Sequence, residues 1–179
     1  AMLKQKDVSE KMSNDIDQME KMLNDYLQFA KTQVQESTTT INLNKLLNSI
    51  KNDFNNQKIS LNDNGVDVNL KARPTALKRS FENIIQNGLT YGNKVYIHIK
   101  RGNNRALVTI EDDGPGIPEE QYKNVFKPFF RLDKSRSLNR SGAGLGLAIV
   151  EDIINSHGGN IQLGKSSYNG LLIKVSLPF

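Results

Sequence analysis

Apolar residues near the start of the chain recur at Met12, Ile16, Met19, Leu23, Tyr26 and Ala30, in alternating steps of four and three, and Val34 extends the seam. In a segment (1–36) that lacks Gly and Pro, this heptad pattern predicts a long helix over about 8–35. Leu27 and Phe29 lie beside the seam, so the helix has too much apolar surface to stand alone. It is expected to pair in a helical hairpin or a dimeric bundle. An amphipathic helix lying on one domain is the alternative.

The period then changes. QESTTT (35–40) ends the helix and reads as a linker, placed at 37–41. Leu46, Leu47, Ile50 and Phe54 predict a short amphipathic helix over 44–54. KISLND (58–63) and VDVNLKA (66–72) read as strands joined by an Asn64-Gly65 turn. Pro74 opens a long helix running to about Leu89. KVYIHIK (94–100) and RALVTIE (105–111) alternate around Gly102-Asn103-Asn104, a hairpin signal. A loop with a short helical piece near 119–125 follows, then a helix over about 144–157 and two closing strands. This order predicts an α+β two-layer sandwich, a mixed sheet with helices on one face.

Composition narrows the chemistry mainly by exclusion. There is no Cys, so disulfides and thiolate metal sites are out. The two histidines, His98 and His157, are far apart and show no metal-ligand spacing; His98 reads as an outward strand residue and His157 as a helix-end residue favoured by the dipole. No run of eighteen apolar residues and no signal-peptide core is present, and the piece is expected to be soluble. The net charge of +5 concentrates before a glycine-rich stretch, where Lys127, Arg131, Lys134, Arg136 and Arg140 face only Asp133. These cations are not interleaved with stacking aromatics, which argues against nucleic acid and leaves a solvated or phosphate-facing loop.

Three stretches carry candidate chemistry. In SFENIIQNGLTYG (80–92), Asn83, Asn87 and Tyr91 fall at i, i+4 and i+8 on one helix face, opposite Phe81, Ile84, Ile85 and Gly88. An amide oxygen suits Mg²⁺, a hard ion that keeps several waters. EDDGPGIP (111–118) sets Asp112 at a strand end beside glycine-exposed backbone, suited to a ligand amino group and a flat ring. RSGAGLGLAIVED (140–152) offers backbone N–H groups at a helix start, where anions are stabilised. Taken singly, each also reads as a polar helix face, a turn and a mobile loop.

Together with FKPFFRLD (126–133), and in this order, they closely resemble the N box, first glycine box, F box and second glycine box of sensor histidine kinases. Those proteins belong to the superfamily of gyrase, Hsp90, histidine kinase and MutL. EDDGPGI, PFFRLD and GLGLAIV are particularly similar to the EnvZ type of osmolarity sensor. The resemblance covers about 42–179 and implies the Bergerat ATP-binding fold there, with a lid at about 117–143 and ATP and Mg²⁺ as ligands. It implies that Asp112 accepts from the adenine amino group, that Gly114 and Gly116 let the backbone and Ile117 approach the ring, and that Tyr91 covers it. Asn87 is the implied metal ligand, with Asn83 near the metal or phosphates and Arg131 a phosphate contact from the lid. The amides around Gly142, Gly144, Leu145, Gly146 and Leu147 are implied to receive the phosphate chain.

Position 83 separates two chemistries. ATP-hydrolysing branches of the superfamily carry a glutamate there to activate water; Asn83 cannot act as a base, which suits a kinase. The sequence departs from the family at Thr90, where Lys or Arg is usual, and at Ala143, where Thr is usual. Reduced ATP affinity is expected, with Lys134, Arg136 or Arg140 compensating. Neither histidine resembles a phosphoacceptor box. Segment 1–36 is therefore expected to be the second helix of a dimerisation hairpin without its first, phosphoacceptor-bearing helix. The fragment should bind Mg-ATP without phosphorylating itself. Implied partners are that missing helix, an OmpR-like response regulator and a second copy in the full-length homodimer. The implied location is the cytoplasmic region of a bacterial protein anchored in the inner membrane. The rival readings are a related ATPase, an anti-sigma serine kinase, and a nucleotide-binding docking module without kinase activity.

Overall fold

The computed structural model describes residues 12, 13, 16, 20, 36–54, 57–132 and 144–179. Apart from four isolated positions, the expected heptad helix lies outside the described residues, as do Gly142, Ala143, Lys134, Arg136 and Arg140.

The described chain runs β1 (Thr39–Asn42), α1 (Leu43–Asp53), β2 (Ile59–Asn62), β3 (Asn69–Ala72), α2 (Pro74–Tyr91), β4 (Val95–Arg101) and β5 (Arg105–Asp112). A short 3₁₀ turn (Glu119–Gln121), α3 (Gly146–Ser156), β6 (Asn160–Lys165) and β7 (Leu171–Pro178) complete it. The main sheet has the order β2-β4-β5-β7-β6, and β1 and β3 form a separate pair. Only the β2–β4 pairing is parallel in the main sheet, so it is mixed as the pattern predicts.

Strand alternation builds the core. Ile97, Ile110 and Ile173 stand opposite one another across β4, β5 and β7, and Ile99, Val108, Val175 and Ile161 form the next row. All are buried, and they join one cluster with Leu43, Leu47 and Ile50 of α1, Phe81 and Ile85 of α2, and Val150 and Ile154 of α3. The helices therefore cover one face. The other face carries Tyr96, His98, Thr109 and Glu111, half-buried, and the exposed Lys174.

Three expectations change. The Asn64-Gly65 turn forms, with both residues at positive φ (50° and 69°), but its two strands enter different sheets. Asn44, buried in α1, takes over the second strand: its side chain accepts from Val68 N at 3.0 Å and donates to the Val66 carbonyl at 2.6 Å. Second, Thr39–Asn42 is not linker but a strand paired with β3, which suits its β-branched residues. Third, His157 is not a charged residue held by the helix dipole. Its Nε2 accepts from Arg73 N at 3.0 Å and its Nδ1 lies 2.7 Å from the Ile153 carbonyl, so the neutral ring stitches the end of α3 to the start of α2. Burial pushes its pKa down, against the hydrogen bond to Ile153.

The start of α2 is closed from a distance. Its N-cap, Arg73, makes no side-chain cap bond. Instead Glu36 accepts from Thr75 N at 2.6 Å and Ala76 N at 2.9 Å. Partial burial opposes the charge of Glu36, but these bonds and nearby Arg73 outweigh it and hold the carboxyl below the usual glutamate range.

Candidate functional site

Helix α2 lies close against the end of β5 because Gly88 has no side chain. A Cβ there would lie 2.7 Å from Val95 Cγ2 and 3.5 Å from Asp112 Cβ. This contact sets the polar stripe of α2 beside the last residue of β5. Asn83 and Asn87 are half-buried, and Tyr91 is 60% exposed at the rim.

The two aspartates of EDDGPG have separate jobs. Asp113 Oδ1 accepts from Asn93 N (2.6 Å) and Lys94 N (2.9 Å), anchoring the turn between α2 and β4. Those backbone bonds hold its carboxyl below the usual range. Asp112 is pushed the other way by burial, its Oδ1 bonds to Leu171 N (3.1 Å) and Gly114 N (2.9 Å) only partly offsetting this. Among the described residues no hydrogen bond reaches Asp112 Oδ2. A half-buried carboxylate with one oxygen saturated and one unused is a built acceptor for a donor arriving from outside.

The N-terminus of α3 also borders this region, next to Asn87. Its N-cap is Leu145, no side chain caps it, and its first turn holds no acidic residue. Among the described residues no side chain caps this end, so its N–H groups and positive dipole end suit an external anion. Asn87 stands next to them, its Nδ2 lying 3.7 Å from where a Cβ on Gly146 would be. The approach to this helix is clamped to the F-box segment: Phe129 N donates to the Gly144 carbonyl at 3.0 Å. Gly144 sits at φ 71°, where a Cβ would come within 2.8 Å of the Phe130 carbonyl oxygen, so only glycine is tolerated.

These groups surround one cavity of about 980 Å³. Of the residues expected at a site, Asn83, Asn87, Tyr91, Asp112, Gly116, Ile117, Arg131, Gly144, Gly146 and Leu147 line it. Two do not. Gly114 lies behind Asp112 and holds its carboxylate, and the Leu145 side chain is buried against Ala76, Ile149 and Ile153. Gly142 is outside the described residues. The exposed Arg131 reaches the cavity from its F-box side. Thr90, where the family pattern has a cation, bonds back to the Gln86 carbonyl at 2.7 Å and does not line the cavity.

Sequence reasoning missed Arg79 and the apolar floor of Ile110, Leu171 and Ile173. Arg79 was within reach, since it continues the stripe four residues before Asn83. Leu171 and Ile173 come from a strand whose pairing with β5 has no local signal.

Among the described residues no group of three acidic or histidine side chains could hold a metal by itself. A Mg²⁺ ion here would be held by an amide such as that of Asn87 together with ligand phosphates and water.

Known proteins share this fold. The profile of the family described as histidine kinase-, DNA gyrase B-, and HSP90-like ATPase matches residues 72–179. The sensor histidine kinase GtrS of Pseudomonas aeruginosa is 33% identical over 99% of this chain and 37% of its own length. The sensor histidine kinase CpxA of Escherichia coli is 30% identical over 94% of this chain and 39% of its own length. The chain thus spans less than two fifths of these relatives. Among solved structures, the histidine kinase domain of the E. coli osmosensor EnvZ superposes with a TM-score of 0.62 at 37% identity, covering 81% of this chain and 91% of that one. The catalytic domain of the histidine kinase ThkA gives a TM-score of 0.67 at 26% identity, over 79% and 95%. This chain belongs to the histidine kinase-, DNA gyrase B-, and HSP90-like ATPase family. Within it, the chain carries the ATP-binding catalytic domain of a sensor histidine kinase.

Proposed function

We propose that the cavity binds Mg-ATP with adenine at Asp112 and the phosphates at the start of α3. In this reading Tyr91 covers the base, Ile117 and Gly116 flank it, and Asn87 is the protein ligand to the metal. Asn83 lies near the metal or phosphates, and Arg131 and the amides from Gly142 to Leu147 contact the phosphate chain. Bound Mg²⁺ would neutralise charge on the transferring group. The chain is then the catalytic part of a protein-histidine kinase. It passes the γ-phosphoryl group to a histidine on a dimerisation helix, for relay to an aspartate of an OmpR-like response regulator. It acts as a homodimer in the cytoplasmic region of an inner-membrane-anchored protein, and nucleic acid is not a partner. The supporting observation is that one cavity is lined both by Asp112, whose Oδ2 has no hydrogen bond among the described residues, and by the start of α3, which no described side chain caps and which has Asn87 beside it.

Two measurements test this. Calorimetric titration with a non-hydrolysable ATP analogue and Mg²⁺ should show binding; none at millimolar ligand would end the proposal. Adding a separate dimerisation helix with its phosphoacceptor histidine to chain and radiolabelled ATP should label the added helix and not the chain. Binding without transfer would instead support a nucleotide-binding docking module.

A further inference from the structure

We infer that the β6–β7 turn, Ser166 to Gly170, is a positioning element that fixes the Asp112 carboxylate from behind and so sets base selectivity. The inference rests on the reading of the cavity as an ATP site. Glu111 and Asp112 are neighbours in β5 and point to opposite faces of the sheet. Asp112 lines the cavity, whereas Glu111 and the turn residues 166–170 do not.

On the outer face, Glu111 Oε1 accepts from Ser166 Oγ (3.1 Å), Ser167 N (2.9 Å) and Ser167 Oγ (3.0 Å). One carboxylate oxygen thereby holds the whole turn against β5. Tyr168 adds a second fastening, stacking on Tyr96 with ring centroids 3.7 Å apart and planes 9° from parallel. Tyr96 is the cross-strand partner of Glu111, so both fastenings act at one level of the sheet. The turn closes on itself through Ser166 N to the Gly170 carbonyl (2.9 Å), with Asn169 at φ 71°.

What this fixes is the approach of Gly170 and Leu171 to Asp112. A Cβ on Gly170 would lie 2.2 Å from both the Asp112 carbonyl oxygen and Oδ1, so the backbone passes where no side chain fits. Directly after it, Leu171 N donates to Asp112 Oδ1. With Gly114 N on the same oxygen, the carboxylate cannot turn, and Oδ2 alone is presented. An acceptor fixed there meets the amino group of adenine but the carbonyl oxygen of guanine. Sites that pair a specific donor or acceptor reject analogues lacking it far more strongly than apolar pockets do. Freed of the turn, the carboxylate can rotate and this discrimination weakens. The turn residues are therefore positioning residues that never touch the ligand.

The test is the ratio of affinities for Mg-ATP and Mg-GTP analogues, with thermal melting recorded in parallel. In Glu111→Ala, ATP affinity should fall about tenfold while GTP affinity falls less, narrowing the ratio; Glu111→Gln, which keeps one acceptor oxygen, should recover part of it. Tyr168→Ala, at a side chain 38% exposed, should narrow the ratio in the same direction with little loss of melting temperature. A ratio unchanged in both folded alanine variants, or affinities for both nucleotides falling in parallel, overturns the inference and leaves the ATP reading intact. Failure of the unaltered chain to bind ATP overturns both.

Discussion

Two helices in this chain begin in the same awkward way and are completed differently. Both α2 and α3 have N-cap residues, Arg73 and Leu145, whose side chains cap nothing. At α2 the exposed N–H groups receive a carboxylate from within the chain, Glu36, 39 residues before Thr75. At α3 no described side chain plays that part, and the helix start opens onto the cavity beside Asn87. The first end is structural and carries its own anion. The second has no described carboxylate of its own, which is what the proposed phosphate site requires. The difference shows that an uncapped helix is informative only when the fold demonstrably caps another one.

The sharpest way to break this comparison is to give α3 an anion of its own. Ala148→Glu places a carboxylate in the first turn, where it should stabilise the free protein by about 0.3–1 kcal/mol. The same charge should repel phosphates by ~1–3 kcal/mol, weakening Mg-ATP roughly tenfold to a hundredfold by calorimetry. Unchanged affinity in the folded variant would remove the phosphates from the start of α3.

Acidification should separate the two ends next. Burial raises the pKa of Asp112, so its carboxylate is protonated at a higher pH than an exposed aspartate and loses its role as an acceptor there. Glu36 is shifted the other way: its cap contributes fully above the ordinary glutamate pKa and is lost only as pH falls through its depressed folded value. Lowering pH should therefore weaken ATP binding before the α2 cap is lost, as read from paired binding and melting series. A melting loss that precedes the binding loss would contradict these assignments. The smallest effect is expected from Glu36→Ala, which should cost about 1 kcal/mol of stability and leave ATP affinity within about twofold. A large loss of ATP affinity there would mean that the two helix starts are not independent.

Much of the site was legible because its parts are local. The Asn83–Asn87–Tyr91 stripe follows from helical periodicity, and Asp112 from its place at the end of an alternating strand. The strand at Thr39–Asn42 carried its own signal in two threonines and an isoleucine, which the surrounding polar residues masked. The cap from Glu36, the parting of the Asn64-Gly65 strands by Asn44, and the hold of Leu171 on Asp112 had no such signal. Each joins groups far apart in sequence, and neither periodicity nor turn chemistry reports on distant partners. Gly114 and Leu145 show the same limit within a motif. The resemblance set the backbone of both at the site; neither lines the cavity, Gly114 N holding the Asp112 carboxylate and the Leu145 side chain packing into the core.

By itself, then, the sequence determined most of the helices and strands, which of their faces are apolar, and the order of the motifs that line the cavity. Those properties depend on side chains a few residues apart. The tertiary structure decided which helix start lacks a cap among the described residues, which oxygen of Asp112 is held by backbone N–H groups, and that Ile110, Leu171 and Ile173 line the cavity. Those depend on strand pairing and on close backbone approaches at Gly88, Gly144 and Gly170, where a single Cβ would not fit.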